Sequence, residues 1–248
     1  MAHCSVLLIS MPWHQIKTPS IQLGILKAVL DRRGIQTECG TYSLAFMDFL
    51  ASLSFPFSVD EYNEVGDECF GVGLGDWIFA VPPFRPYNIA RDQGYVEYLR
   101  QQRVRELMIQ KAFQLRAVVP KFLEHCRNDI QRSSARIVGF TSMFSQNAAS
   151  LGLAQMLKAV DPSKKIVLGG ANCQGEMGAA LFRCFPQVDA VVRGEGERVF
   201  PRLVEEWLAG SRVTRAPGLC HRDQQGEFVV EHSAEDVVAM DDVPAPDY

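Results

Sequence analysis

The sequence lacks the motifs that would put a metal cluster or a simple nucleotide on this chain. Its seven cysteines (Cys4, Cys39, Cys69, Cys126, Cys173, Cys184 and Cys220) are never spaced C-x-x-C or C-x-x-x-C-x-x-C. Scattered and odd in number, they argue against a disulfide framework and against a zinc or iron–sulfur site made by this chain alone, and a reducing cytoplasm is the expected compartment. No apolar run approaches the ~18 residues that cross a bilayer, so no membrane partner is expected. The N-terminal "MAHCSVLLISMPW" has neither a basic flank nor a small-residue cleavage site and reads as a first strand. Neither sign of charge dominates: 25 Lys and Arg stand against 29 Asp and Glu, and a net charge of -4 gives no sign of a nucleic-acid binder. G-x-x-x-x-G-K-[ST] and G-x-G-x-x-G are both missing. The nearest approach, Gly194-Glu195-Gly196-Glu197, carries two acids that would oppose a pyrophosphate.

What is present is an alternation of strand and helix patterns. "SVLLIS" (Ser5 to Ser10) is a short apolar run of the kind buried on both faces. "SIQLGILKAVLDRRG" follows as a helix, with Ser20 as N-cap and Gly34 as its stop, and "IQTECGTY" as a second strand. The alternation resumes with "RIVGFTSMF", "SQNAASLGLAQMLKAVDPS", "KKIVLGGAN", "GEMGAALFRCFP", "VDAVVRGEGE" and "RVFPRLVEEWLAG". This order implies right-handed crossovers and a doubly wound, mainly parallel five-stranded α/β sheet, flavodoxin-like or Rossmann-like, with helices on both faces. Residues 1–45 plus 134–232 are assigned to that domain. Residues 46–133 form an aromatic, glycine-rich and largely helical insertion, with Pro120 as an expected kink or break in its long helical pattern. "APGLCHRDQQGEFVVE" reads as a hairpin, and the acidic residues 233–248 as a linker.

Three loops leave predicted strands at the same edge of the sheet: Thr141-Ser142-Met143, Gly169-Gly170-Ala171-Asn172-Cys173 and Gly194-Glu195-Gly196-Glu197. Ligands bind at that edge of an open parallel sheet. Paired glycines admit a bulky group close to the backbone, and Thr141 and Ser142 supply hydroxyls. Cys173 reads either as a cofactor contact or as a small buried hydrophobe. Glu195 and Glu197 read either as hydrogen-bonding groups for a ligand or as acids complementing a helix N-terminus.

Thr141-Ser142-Met143, 25 residues, then Gly169-Gly170 resembles the second half of the cobalamin-binding signature, S-x-L followed at nearly the same distance by G-G. In that family the hydroxyl residue and the glycines line a channel for the nucleotide tail of the cofactor, and the corrin lies over the strand ends. The first half of the signature, D-x-H-x-x-G, is absent. In its place stand Pro12, Trp13 and His14, so the carboxylate that would orient a ligating histidine is missing, and no axial cobalt ligand is expected from His14.

A longer resemblance rests on "MPWHQIKTPSIQLGILKAVLDRRGI", "VGFTSMFSQNAASLGLAQMLKAVDPSKKIVLGGANCQGEMG", "FPQVDAVVRGEGERVFPRLV" and "APGLCHR". Together these resemble the N-terminal half of cobalamin-dependent radical SAM enzymes, more narrowly the maturases of ribosomally synthesised peptides. In that family the D-x-H-x-x-G histidine is commonly missing. The resemblance implies a cobalamin (methylcobalamin) cofactor held by Thr141 to Met143, Gly169 to Cys173 and Gly194 to Glu197, with Pro12 and Trp13 beside it. It implies a partner radical SAM domain, in cis or in trans, carrying S-adenosylmethionine and a [4Fe–4S] cluster, and a precursor peptide as the substrate that is C-methylated. Alone, this chain would bind the corrinoid without completing the chemistry. Two other readings stay open: a degenerate cobalamin fold acting as a docking or scaffold module, and a flavodoxin-like domain holding another cofactor such as a flavin.

Overall fold

The computed structural model describes residues 4–211, 215–232 and 240–248. Five strands, β1 (Val6–Ser10), β2 (Thr37–Thr41), β3 (Ile137–Thr141), β4 (Lys165–Gly169) and β5 (Ala190–Val192), pair in parallel. The expected hairpin, β6 (Leu219–Arg222) and β7 (Phe228–Val230), adds two antiparallel strands to the same edge. The sheet therefore has seven strands in the order β2-β1-β3-β4-β5-β6-β7. Its first five follow the flavodoxin-like order, which places a topological switch point between β1 and β3.

Helices cover both faces. They are α1 (Ile21–Asp31), α2 (Tyr42–Ser52), α3 (Val59–Asn63), α4 (Leu74–Phe79), α5 (Ile89–Gln101), α6 (Glu106–Arg132), α7 (Asn147–Val160), α8 (Gly175–Cys184) and α9 (Gly196–Leu208). Strand side chains alternate between faces. Val6, Leu8, Ile137, Val167, Ala190 and Val192 meet Leu23 and Leu30 of α1 and Phe200, Leu203 and Val204 of α9. Leu7, Ile9, Val138, Phe140, Ile166, Leu168 and Val191 meet the other helices in a much larger cluster.

Local chemistry sets the ends of α1. Ser20 accepts the Leu23 N–H at 3.4 Å, and Gly34, at φ 75, turns the chain so that the Ile35 N–H closes on the Leu30 carbonyl at 3.1 Å. Of the kink or break expected at Pro120, the break is absent: α6 runs through it. Proline removes the N–H that would reach the Arg116 carbonyl, and the Tyr87 hydroxyl donates to that carbonyl instead, at 3.4 Å. The chain breaks between α5 and α6, where Arg103 adopts φ 63.

The segment 46–133 packs directly on the sheet domain. Asp76 of α4 accepts the Ala148 N–H at 2.8 Å, and also that of Asn147, so it caps the N-terminus of α7. Burial pushes this carboxyl up to about 6. Of the expected linker 233–248, residues 233–239 lie outside the described residues. The last residues lie against α1: the Asp247 N–H donates to the Gly24 carbonyl at 3.0 Å and its carboxylate pairs with Lys27. A Cβ on Gly24 would stand 2.8 Å from Pro246 Cβ, so this glycine makes the notch in which the tail sits.

Candidate functional site

The carboxyl ends of β1, β3, β4 and β5 open into a slot of about 250 Å³ between the sheet and helices α1 and α9. The inner wall is apolar: Leu8, Val167 and Val192 from the strands, Leu23 and Leu26 from α1, and Phe200 from α9. The mouth is small and polar, with Thr141, Gly169, Gly170, Ala171, Gln174, Glu195 and Glu197. This is the crevice that the strand order singles out for ligand binding.

Three glycines shape this region. Gly139 lies in the middle of β3 on this face, where a Cβ would stand 3.0 Å from Leu8 Cδ2 and 3.4 Å from Phe200 Cζ. Gly169 ends β4 on the same face as Val167, and a Cβ there would meet only Val192, at 3.9 Å from its carbonyl oxygen. Gly170 serves a different purpose. Its φ is 97, and a Cβ would stand 2.6 Å from the Ser142 carbonyl oxygen, so only glycine lets the β4 loop pass the β3 loop.

Two polar atoms facing this region have no hydrogen-bond partner among the described residues although they are buried: Thr141 Oγ1 and Glu197 Oε2. Buried polar atoms are ordinarily paired, so such atoms lining a slot mark where a ligand can supply the partner. Glu195 holds the N-cap position of α9 and Glu197 its first turn, where carboxylates complement the helix dipole.

The slot gathers Thr141, Met143, Gly169, Gly170, Ala171, Gly194, Glu195, Gly196 and Glu197. Ser142, Asn172, Cys173, Pro12 and Trp13 are not among its lining residues. Ser142 is fully buried; its hydroxyl donates to Asn147 Oδ1 at 2.7 Å and accepts from Asn172 Nδ2 at 3.1 Å. Asn172 also donates to the Phe144 carbonyl at 2.7 Å. These two residues tie the β3 and β4 loops together behind the mouth. Cys173 is fully buried, and burial, with Cys220 nearby, pushes its thiol up to about 12. It packs as a small hydrophobe. Trp13 sits in the aromatic core, with ring centroids 4.9 Å from Tyr62 and 5.6 Å from Phe46.

A second cleft, of about 370 Å³, adjoins the slot and is lined in part by Trp13, His14, Gln15, Thr18 and Phe144. His14 Nδ1 lies 2.8 Å from the carbonyl oxygen of Gln15. Among the described residues, no group of three or more His, Cys, Asp or Glu side chains is placed to hold a metal ion. No helix among them is long and apolar enough to cross a membrane.

Sequence patterning did not single out Leu8, Gln22, Leu23, Leu26, Val167, Val192 and Phe200 as slot residues, whereas Gln174 falls within the run after the paired glycines that was expected to face a cofactor. The available signal was Gly139, an isolated glycine inside a strand, which marks a close approach or a space kept open.

The B12 binding domain family matches residues 96–204, a stretch that contains β3, β4, β5 and all three loops. An uncharacterized methyltransferase of Pyrococcus horikoshii is 29% identical over 119 residues, 48% of this chain and 26% of that protein. Among solved structures, the radical S-adenosylmethionine methyltransferase TsrM from Kitasatospora setae, with cobalamin and a [4Fe–4S] cluster bound, superposes with a TM-score of 0.50. Its identity is 14%, and the match covers 98% of this chain and 31% of TsrM. The cobalamin-dependent S-adenosylmethionine radical enzyme OxsB, with aqua-cobalamin and S-adenosylmethionine bound, gives a TM-score of 0.51 at 12% identity, covering 99% of this chain and 24% of OxsB. At such identities the superpositions establish the Rossmann-like fold. This chain spans from about a quarter to under a third of the length of these relatives.

Proposed function

We propose that the slot receives the nucleotide tail of a cobalamin, whose corrin lies over the carboxyl ends of the strands. In this reading the chain is the cobalamin-binding module of a radical SAM maturase. The observation that carries it is the slot itself, at the switch point, apolar within, and bordered at its mouth by the unpartnered hydroxyl of Thr141. An aromatic base on a polar tether suits such a shape: the apolar walls take the ring, and polar atoms at the mouth take the tether. The B12 binding domain match supports the same ligand, since it spans all three loops.

When bound, methylcobalamin would supply a methyl group, a chemistry that belongs to the cofactor. The residues of this chain bind and position. Thr141 Oγ offers a hydrogen bond to a polar atom of the tail. Leu8, Leu23, Val167 and Phe200 exclude water from the base. Glu195 and Glu197 stand at the mouth, within the region that amide groups of a corrin would cover. His14 lies in the neighbouring cleft and is assigned no role as a cobalt ligand. S-adenosylmethionine and a [4Fe–4S] cluster would belong to a radical SAM domain working in cis or in trans, as the names of the TsrM and OxsB structures suggest. A ribosomally made precursor peptide, C-methylated on an unreactive carbon, is the substrate that the "GGANCQGEMG" and "VDAVVRGEGE" resemblance favours.

The test is reconstitution of the purified chain with hydroxocobalamin, desalting, and the visible spectrum. Near-stoichiometric retained corrin bands are expected, unchanged in His14→Ala. Absence of corrin bands would overturn the reading, and a flavin spectrum in the protein as purified would support the flavodoxin-like alternative.

A further inference from the structure

The slot and the second cleft share two lining residues, Gln22 and Met143. These two side chains are joined: Gln22 Nε2 donates to Met143 Sδ at 3.2 Å. Being part of both walls and bonded to each other, they stand between the two spaces. We infer that Gln22 and Met143 form a neck that must part for a ligand to occupy both clefts at once. The neck thereby sets the entry rate of a ligand that must reach both clefts and leaves untouched a ligand that fits within one. This inference rests on the cobalamin reading and names two specificity-determining residues within it.

The two sides of the neck are built differently. Gln22 lies in the first turn of α1, and its Oε1 accepts the Ser20 hydroxyl at 3.1 Å. Ser20 is itself held as the helix cap by the Leu23 N–H. One end of the Gln22 amide is therefore fixed to the helix start, which aims the other end across the gap. Met143 is tethered through its backbone, whose N–H donates to Gln146 Oε1 at 2.9 Å. Its unbranched thioether turns about three bonds and adapts readily to a new neighbour. Met143 is the moving part and Gln22 the fixed post. A single N–H···S contact holds the neck shut, so opening requires the loss of one weak bond. Neither side chain titrates, so the neck responds to ligand and not to pH.

The experiment uses two corrinoids, hydroxocobalamin and diaquacobinamide, which has the corrin body but no nucleotide tail. Association with the full chain is followed by stopped-flow absorbance in wild type, Gln22→Ala and Met143→Leu. Gln22→Ala removes the post, and Met143→Leu keeps the volume while removing the sulfur acceptor. Both variants are expected to speed cobalamin association by about two- to tenfold, the equivalent of one modest hydrogen bond. Cobinamide association is expected to stay unchanged. Equal acceleration of both corrinoids, or an unaltered cobalamin rate in both variants, would overturn the neck. If cobinamide binds to none of the proteins, the cobalamin rates alone decide. Failure of the wild type to retain cobalamin would instead overturn the cobalamin reading, an outcome that no variant rate can imitate.

Discussion

On one face of the sheet, Trp13 packs against Phe46, Tyr62 and Phe79, and Phe122 fills the space beside them. On the other face, the same strands present Gly139 and Gly169 to helices α1 and α9, and a slot of about 250 Å³ is left between them. Both faces are apolar, and both are covered by helices. On one the aromatic rings pack against one another, and on the other a slot is held open. An unfilled apolar space forfeits contacts and so costs stability. Its persistence at the switch point, beside an unpartnered Thr141 hydroxyl, is what separates a binding slot from a packing fault.

The comparison can be broken first on the filled face. Phe122 is fully buried, with ring centroids 4.7 Å from Phe46 and 5.5 Å from Phe49. Phe122→Ala is expected to destabilise the chain by about 3–5 kcal/mol, read as a shift in a urea or thermal unfolding midpoint. A shift well under about 1 kcal/mol would mean that this face is as loosely packed as the other.

A smaller effect sharpens the link between the segment 46–133 and the sheet domain. The Asp76 carboxyl, raised by burial from 3.8 to about 6, caps α7 from α4. A folded-state value above the unfolded one means that the folded chain holds the proton more tightly. The stability this contributes is fully present below about pH 4 and is lost as pH rises to about 6, amounting to a few kcal/mol. Asp76→Asn should flatten the melting temperature between those pH values relative to wild type. Parallel pH profiles for the two proteins would show that the carboxyl is not held in this way.

The five parallel strands and their alternation with helices were legible in the sequence, because apolar runs ending in small or polar residues alternate with amphipathic helices that carry recognisable caps such as Ser20. The sequence placed the mouth of the slot at Thr141, Gly169 and Glu195 for the same reason: strand ends are marked by small and polar residues. The inner wall was hidden. Leu8, Leu23 and Phe200 around a hollow are the same residue types as leucines and phenylalanines in a packed core, and only Gly139 hinted at the space. Trp13 and Cys173 were harder to read from neighbouring residues. Both side chains pack in the filled core, and Trp13 also lines part of the second cleft. At Pro120 the helix continues, since a hydroxyl from Tyr87, distant in sequence, supplies the hydrogen bond that the proline withholds.

The account stands on the claim that the open face is a cofactor slot, and Gly169→Leu tests it most directly. The residue ends β4 facing the hollow, its backbone needs no glycine geometry, and an added Cβ makes only ordinary contacts. Gly170 is the poorer choice, because any side chain there strikes the Ser142 backbone. Cobalamin retained after desalting should be measured beside the melting temperature, for wild type and Gly169→Leu together. The account predicts that the leucine fills the slot, so that retention is lost while the melting temperature holds or rises. Retention of cobalamin by a folded Gly169→Leu at the wild-type level would contradict it.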